Sequence, residues 1–307
     1  MTTFVFSHEV CLEHENGPGH PERPDRLRAV EAVLSDPLFA GLVRQEASRA
    51  TNEDLEMAHP KAYVERVFDS IPAEGYRSMD GDTSVNPYSG EAARRAAGAA
   101  MDAVDAVLNG KADNAFCAVR PPGHHAETAT AMGFCLFGNV AVAAHHARRN
   151  HGLKKIAILD FDVHHGNGTQ DLVWSDPDTL FISSHEMPLY PGSGSRSETG
   201  VGNILNLPLR SGSGSELFRQ VWTDEALPAL DAFEPELIII SAGFDAHSRD
   251  PLASLELDAE DFAWVTLEIK AKAAELCKGR IVSCLEGGYD LQGLAESVSA
   301  HVQALMR

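Results

Sequence analysis

The apolar positions of the chain fall into two kinds of run. Short blocks rich in β-branched residues, Thr3–Phe6, Asn114–Val119, Lys155–Asp160, Thr179–Ser183, Leu237–Ala242 and Arg280–Leu285, read as strands. Several are apolar at successive positions rather than at alternate ones, the pattern of parallel strands covered on both faces. Between them lie longer stretches with helical spacing. Glu91–Leu108 is alanine-rich, with Ser89 as its N-cap and Gly110 at its end, since a short hydroxyl satisfies free amides at a helix start and glycine accepts left-handed backbone at a helix stop. Asn139–Arg149, Ser215–Phe233 and Asp258–Cys277 are further helices, the second of these three interrupted at Pro228. This alternation predicts an α/β fold, a layered domain around a mainly parallel central sheet. The Gly/Ser-rich pieces at 191–203 and 211–215 are loop-sized, and no repeat, linker or composition break divides the chain, so residues 1–307 are expected to form a single domain.

Four of these strands run directly into polar clusters. They are Arg120-Pro-Pro-Gly-His124-His125, Asp160-Phe-Asp162-Val-His164-His165, Gly243-Phe-Asp245-Ala-His247 and Glu286-Gly-Gly-Tyr289-Asp290. Ligands of open parallel sheets sit beyond the carboxyl ends of the strands, so the four clusters should meet in one crevice. Asp162 and His164, two apart at a strand end, can point the same way, and with Asp245 they make a one-histidine, two-carboxylate set suited to a divalent metal. A lone D-x-H is equally well a turn or an ion pair; a second acidic strand end beside a histidine pair tips the reading to metal. The Pro-Pro-Gly turn stiffens the backbone before His124 and His125. A neutral imidazole there can serve as general base, and its conjugate acid can protonate a leaving amine. Asp160 can fix the tautomer of one of them. A Tyr289 hydroxyl aimed at a polarised carbonyl would stabilise an oxyanion, although GGY alone is an ordinary turn. Gly133, Phe134 and Tyr190 are unremarkable singly and together could wall an apolar slot. His145-His146 is expected on a solvated helix face, and His165 need not be a ligand.

Composition narrows the possibilities. With 25 Lys and Arg against 45 Asp and Glu, the formal charge is −20, a field that repels phosphate backbones and argues against nucleic acid as a partner. Cationic substrates suit it, but do not follow from it. Five cysteines without a C-x-x-C pair read as buried, reduced thiols. The N-terminus has no basic segment followed by an apolar one, and the longest strongly apolar run is Leu237–Ile240, so a membrane partner is not expected and a cytoplasmic protein is. His185-Glu186 lacks the second histidine of a zincin helix, and neither a G-x-S-x-G elbow nor a Walker loop occurs.

In this order along the chain, GPGHPERPDRLRAV (17–30), RPPGHHAE (120–127), GFCLFGN (133–139), DFDVHHGNGTQ (160–170), YPGSG (190–194), SAGFDAH (241–247) and LEGGYDL (285–291) resemble the zinc-dependent histone deacetylase family, of class II-like bacterial type and arginase/deacetylase fold. The resemblance implies one Zn2+ held by Asp162, His164 and Asp245. It implies His125 as general base and then acid, His124 as its electrostatic partner held by Asp160, and Tyr289 as the carbonyl-polarising group. Gly133, Phe134 and Tyr190 would line an acyl tunnel, and Asp82 would contact the substrate backbone. A structural K+ would map to Asp160, Asp162, His164, Ser183 and Ser184. Leu252 stands where acetylpolyamine-selective relatives tend to carry an acidic gatekeeper, and Gly138 stands where class II relatives often carry Asn, implying a looser turn. The expected activity is removal of acetyl or short acyl groups from amines, with N-ε-acyl-lysine as substrate. Acetylpolyamines or another small acylated amine remain the alternative, followed by a non-catalytic acyl-ligand-binding module. A two-manganese hydrolase of the same fold would need further bridging carboxylates. No exposed apolar repeat singles out an oligomer interface.

Overall fold

In the computed structural model, which describes Met1–Arg307, ten strands alternate with ten α-helices. The strands are β1 (Thr3–Ser7), β2 (Val43–Glu46), β3 (Arg77–Ser78), β4 (Ser84–Val85), β5 (Asn114–Cys117), β6 (Ile156–Asp160), β7 (Thr179–Glu186), β8 (Ile204–Leu209), β9 (Leu237–Ala242) and β10 (Ile281–Leu285). The helices are α1 (Pro24–Leu34), α2 (Asn52–Leu55), α3 (Lys61–Asp69), α4 (Ser89–Leu108), α5 (Asn139–His151), α6 (Asn167–Val173), α7 (Ser215–Val221), α8 (Leu227–Phe233), α9 (Ala259–Leu276) and α10 (Leu291–Met306). Eight strands form one parallel sheet in the order β2-β1-β5-β10-β9-β6-β7-β8, while β3 and β4 make a small antiparallel pair. Helix α4 packs on α5, and α10 packs on both α1 and α9, giving helical layers around the sheet of a single α/β domain. No helix is long and apolar enough to cross a membrane.

The central strands β5, β6, β9 and β10 are buried at every position, which is why their sequences lack alternation. They are also neighbours in the sheet, so the four polar clusters leave it side by side. All five cysteines are buried and free, as the sequence implied.

Several expectations need correction. Helix α4 begins at Ser89 itself with Tyr88 at the N-cap. The Ser89 hydroxyl is engaged elsewhere, accepting from the Asn86 amide at 2.8 Å and lying 2.7 Å from His14 Nδ1. The 215–233 stretch breaks ahead of Pro228 rather than at it: a π-helical turn, Trp222–Ala226, joins α7 to α8. Proline cannot donate an intrahelical hydrogen bond, and the widened turn carries the chain past that gap. His146 is buried, not solvated, and only His145 of that pair is partly accessible. At Gly138 a Cβ would lie 2.6 Å from Leu172 Cδ1, the end of a flexible side chain.

Candidate metal centre and active site

After β6 the backbone folds over its own carboxylates. Asp160 Oδ1 accepts from the Asp162 amide at 3.0 Å, and Asp162 Oδ1 accepts from the His164 amide at 2.9 Å. Both Asp162 and His164 thereby reach the crevice. From β9, Asp245 enters the same space, its Oδ1 accepting from the Val163 amide at 2.9 Å. His164 Nδ1 lies 3.2 Å from Asp162 Oδ1 and 3.1 Å from Asp245 Oδ2. The ligand atoms of all three residues lie within 4.8 Å of one another.

Close backbone approach completes this cradle. The Gly287 amide donates to Asp162 Oδ2 at 2.8 Å, and a Cβ at Gly287 would fall 2.1 Å from Asp245 Oδ2. Only glycine allows that approach, which explains why the strand end reads Glu-Gly-Gly. Burial alone would raise the carboxyl pKa of Asp245, and the Asp162 charge pushes the same way. His164 is lifted to about 10 because the two carboxylates outweigh the burial that would lower it. Two buried carboxylates around one protonated imidazole form a donor set in which a divalent cation can take the place of the proton, leaving neutral histidine as the third ligand. The residues fit such a metal.

The histidine pair is divided by its partners. His124 Nδ1 is 2.9 Å from Asp160 Oδ2. Burial lowers its pKa, but the charges of Asp162 and Asp160 prevail and hold it well above its usual value. His125 Nδ1 instead meets Asn167 Oδ1 at 2.7 Å, and Asn167 Nδ2 donates to Glu127 Oε1 at 2.8 Å. Burial and the neighbouring His124 and His164 push the His125 pKa well down; a metal cation would push it further the same way. His125 is therefore neutral, and with the amide oxygen of Asn167 facing it, Nδ1 carries the proton and Nε2 the lone pair. Glu286 accepts from the amides of Gly123 and His124 at 2.6 and 3.1 Å, fixing the turn that aims both rings.

A cavity of about 220 Å³ leads to this chemistry, lined by Asp82, His125, Gly133, Phe134, His164, Leu189, Tyr190, Leu252 and Tyr289. Every tunnel residue expected from the sequence is on its wall; Leu189 was not anticipated. Gly133 has φ +55°, and a Cβ on it would meet His125 Cδ2 at 2.3 Å, so only glycine can occupy this wall position. The Phe134 and Tyr289 rings meet edge to face with centroids 5.8 Å apart, and His125 and Tyr190 do so at 5.2 Å. Desolvation raises the Tyr289 hydroxyl pKa well above its usual value, keeping it a neutral donor despite the nearby Arg26 guanidinium.

Among the residues considered for a monovalent cation, Ser183 pairs in register with Asp160, and its hydroxyl lies 2.9 Å from His185 Nδ1. The Ser184 hydroxyl accepts from Trp222 Nε1 at 3.1 Å. His165 sits 2.8 Å from Ser193 Oγ and 3.0 Å from Gln170 Oε1, away from the metal set. Sequence reasoning missed three groups. Asn167 is the residue that orients His125. Asp250 Oδ2 accepts the Tyr289 amide at 2.7 Å while its Oδ1 accepts the Leu252 amide at 3.0 Å. Arg26 donates to the Gly288 and Glu286 carbonyls and lies 4.8 Å from the Tyr289 ring centroid. Its charge in an otherwise amphipathic helix start, PDRL, was the available signal.

Comparison with known proteins agrees with this geometry. Residues 20–305 match the family model described as the histone deacetylase domain. Histone deacetylase 14, chloroplastic, of Arabidopsis thaliana is 41% identical, over 98% of this chain and 76% of its own. The histone deacetylase-like amidohydrolase of Pseudomonas aeruginosa is 40% identical, over 94% of this chain and 81% of its own. A crystal structure of the HDA15 HD domain superposes with a TM-score of 0.94 at 37% identity, covering 99% of this chain and 88% of that one.

Proposed function

The chain belongs to the histone deacetylase family, and from that premise we propose that it is a zinc-dependent amidohydrolase removing acetyl or similarly short acyl groups from N-ε-acyl-lysine. The observation that carries the reading is the meeting, at the base of one narrow cavity, of the Asp162–His164–Asp245 set, a neutral His125 and the Tyr289 ring.

Asp162, His164 and Asp245 would hold the zinc, which when bound supplies Lewis acidity to the amide carbonyl and acidifies water. The remaining work falls to side chains. His125 takes a proton from the attacking water at Nε2, while Asn167 holds Nδ1–H and so keeps the ring in the required tautomer. The same proton then passes to the leaving amine. His124, paired with Asp160, places a positive charge beside the developing anion. The Tyr289 hydroxyl donates to the oxyanion, and Asp250 and Arg26 hold the loop that presents it. Asp160, Asp162, His164, Ser183 and Ser184 are the residues proposed to hold K+.

The apolar walls supplied by Phe134, Tyr190 and Leu252 suit the methylene chain of lysine. The carboxylate of Asp82 on the cavity wall favours a second reading, in which it attracts the distal ammonium of an acetylated polyamine. Turnover of an acetyl-lysine peptide and of N-acetylated putrescine and spermidine, compared on the same zinc-bound preparation, separates the two. Preference for the peptide is expected; preference for the polyamine would overturn the substrate assignment. Turnover of neither, with the metal fully bound, would favour a binding module.

A further inference from the structure

Helix α5 carries histidines that the active site does not use. His146 Nε2 lies 2.7 Å from Asp105 Oδ1 on α4, and His151 Nε2, from the last residue of α5, lies 2.6 Å from the same oxygen. The three ligand atoms fall within 4.8 Å of one another, a convergence of metal-ligating groups otherwise found in this chain at Asp162, His164 and Asp245. We propose that Asp105, His146 and His151 form a second site for a divalent transition metal, which ties the end of α4 to the end of α5.

The donor chemistry selects the class of ion. Two imidazoles and one carboxylate suit Zn2+, Co2+, Ni2+ or Cu2+, whereas Ca2+ and Mg2+ favour oxygen-only sets. In the metal-free chain both Nε2–H groups point at one carboxylate oxygen, so a dication would take the place of two hydrogen-bonding protons. Ligand atoms about 2.0–2.1 Å from a tetrahedral ion stand roughly 3.3 Å apart, so Asp105 must move outward by about 0.6 Å. It has the freedom to do so: its side chain is 44% exposed, against 5% for His146 and 16% for His151. The accessible side also admits water as a fourth ligand. Beside this set, Asn150 Nδ2 lies 3.1 Å from His146 Nδ1. A flip of that amide would turn its oxygen to Nδ1–H, the partner that a metal-bound imidazole needs.

This site stands apart from the catalytic one. His151 precedes β6, whose five residues run from the amino edge of the sheet to the carboxyl edge, where Asp160 and Asp162 lie. At about 3.3 Å per residue the strand alone spans about 13 Å, and Asp162 lies two residues beyond its end.

Zinc binding to the metal-free full-length chain tests the proposal. The wild type is expected to take up two equivalents, and His151→Ala one, with its deacetylase turnover unchanged within twofold. Asp245→Ala, which disables the catalytic ligand set, should still bind one Zn2+ and give a Co2+ visible spectrum. Both should be lost in Asp245→Ala/His151→Ala. A wild type that binds one equivalent, or a double variant that still binds Zn2+ as tightly as Asp245→Ala, would overturn the assignment. If Asp245→Ala does not fold, the stoichiometries of wild type and His151→Ala decide alone.

Discussion

Glu22 is the side chain on which the substrate end of the protein is most heavily built, and Glu22→Gln tests that directly. The carboxylate, fully buried, is shared by two guanidiniums that are also fully buried. Its Oε1 accepts from Arg26 Nη1 at 3.0 Å and from Arg120 Nε, and its Oε2 accepts from Arg120 Nη2 at 2.7 Å and from Asn16 Nδ2 at 3.0 Å. Arg120 opens the segment that carries His124 and His125, and Arg26 holds the loop that carries Tyr289, so one carboxylate anchors both halves of the chemistry. Glutamine keeps the shape but removes the charge, leaving two buried cations uncompensated. Removing one partner of a buried pair costs about 3–5 kcal/mol, and about 3 is a lower bound here, because whichever oxygen becomes NH2 then faces an Arg120 N–H. At about 2.1 cal/mol/K of unfolding entropy per residue, 307 residues give about 0.6 kcal/mol/K. A loss of about 3 kcal/mol therefore lowers Tm by about 5 °C. The pH dependence adds a second readout. Burial would raise the Glu22 pKa, but the Arg120 charge and the His14 and Arg120 hydrogen bonds hold it well below the usual carboxylate range. A depressed folded-state pKa contributes stability above the unfolded value of about 4.3 that is lost as pH falls through the folded one. Thermal unfolding of wild type and Glu22→Gln should therefore differ most at pH 6–8 and converge below pH 4. A Tm change under 1 °C at pH 7, or a difference that grows on acidification, would refute the reasoning.

Three further outcomes follow from the site. Tyr289→Phe removes one oxyanion donor, so kcat should fall about 10²–10³-fold while metal content by elemental analysis stays the same; near-normal turnover would remove Tyr289 from the mechanism. Asp250→Asn turns an amide NH2 toward either the Tyr289 or the Leu252 backbone N–H, at a cost of about 1–3 kcal/mol in a buried site. It should lower kcat roughly tenfold without loss of zinc, and unchanged kinetics would show that the Tyr289 loop is held by other contacts. Because carboxylate hydrogen bonds and charges lift His164 to about 10 against its burial, zinc must displace a proton there. With the second site disabled by His151→Ala, the zinc Kd should fall about tenfold per pH unit between pH 6 and 8, and a flat profile would contradict the ligand assignment.

The sequence is most legible where burial is complete on both faces. Strands β6, β9 and β10 are mostly apolar and buried at every position, and the polar residues that follow each of them converge as the sheet rule requires. Edge strands carried no such signal. Strand β2 reads VRQE and is largely exposed, and β8 contains Pro208, tolerated because the strand lies at the sheet edge. Helices α1 and α10 were not anticipated either; both alternate buried and polar positions, and they pack against each other. At the site, residue types and spacing were enough to nominate the metal set and the two histidines. What each histidine does depends on partners far away in sequence: Asp160 lies 36 residues from His124 and Asn167 lies 42 from His125. Asp160, with Asp162, makes the first ring cationic; Asn167 sets the tautomer of the second, which burial and its histidine neighbours keep neutral. The burial of His146 was hidden for the same reason, since its partner Asp105 belongs to a separate helix.

The most direct test of the account is acetate release from an acetyl-lysine peptide by the chain stripped of metal, by the same chain given back Zn2+, and by zinc-bound His125→Ala. The account predicts no turnover without metal, recovery on addition of Zn2+, and a loss of at least about 10²-fold in the variant with its zinc retained. Turnover that survives complete metal removal, or a zinc-bound His125→Ala as fast as wild type, would contradict it.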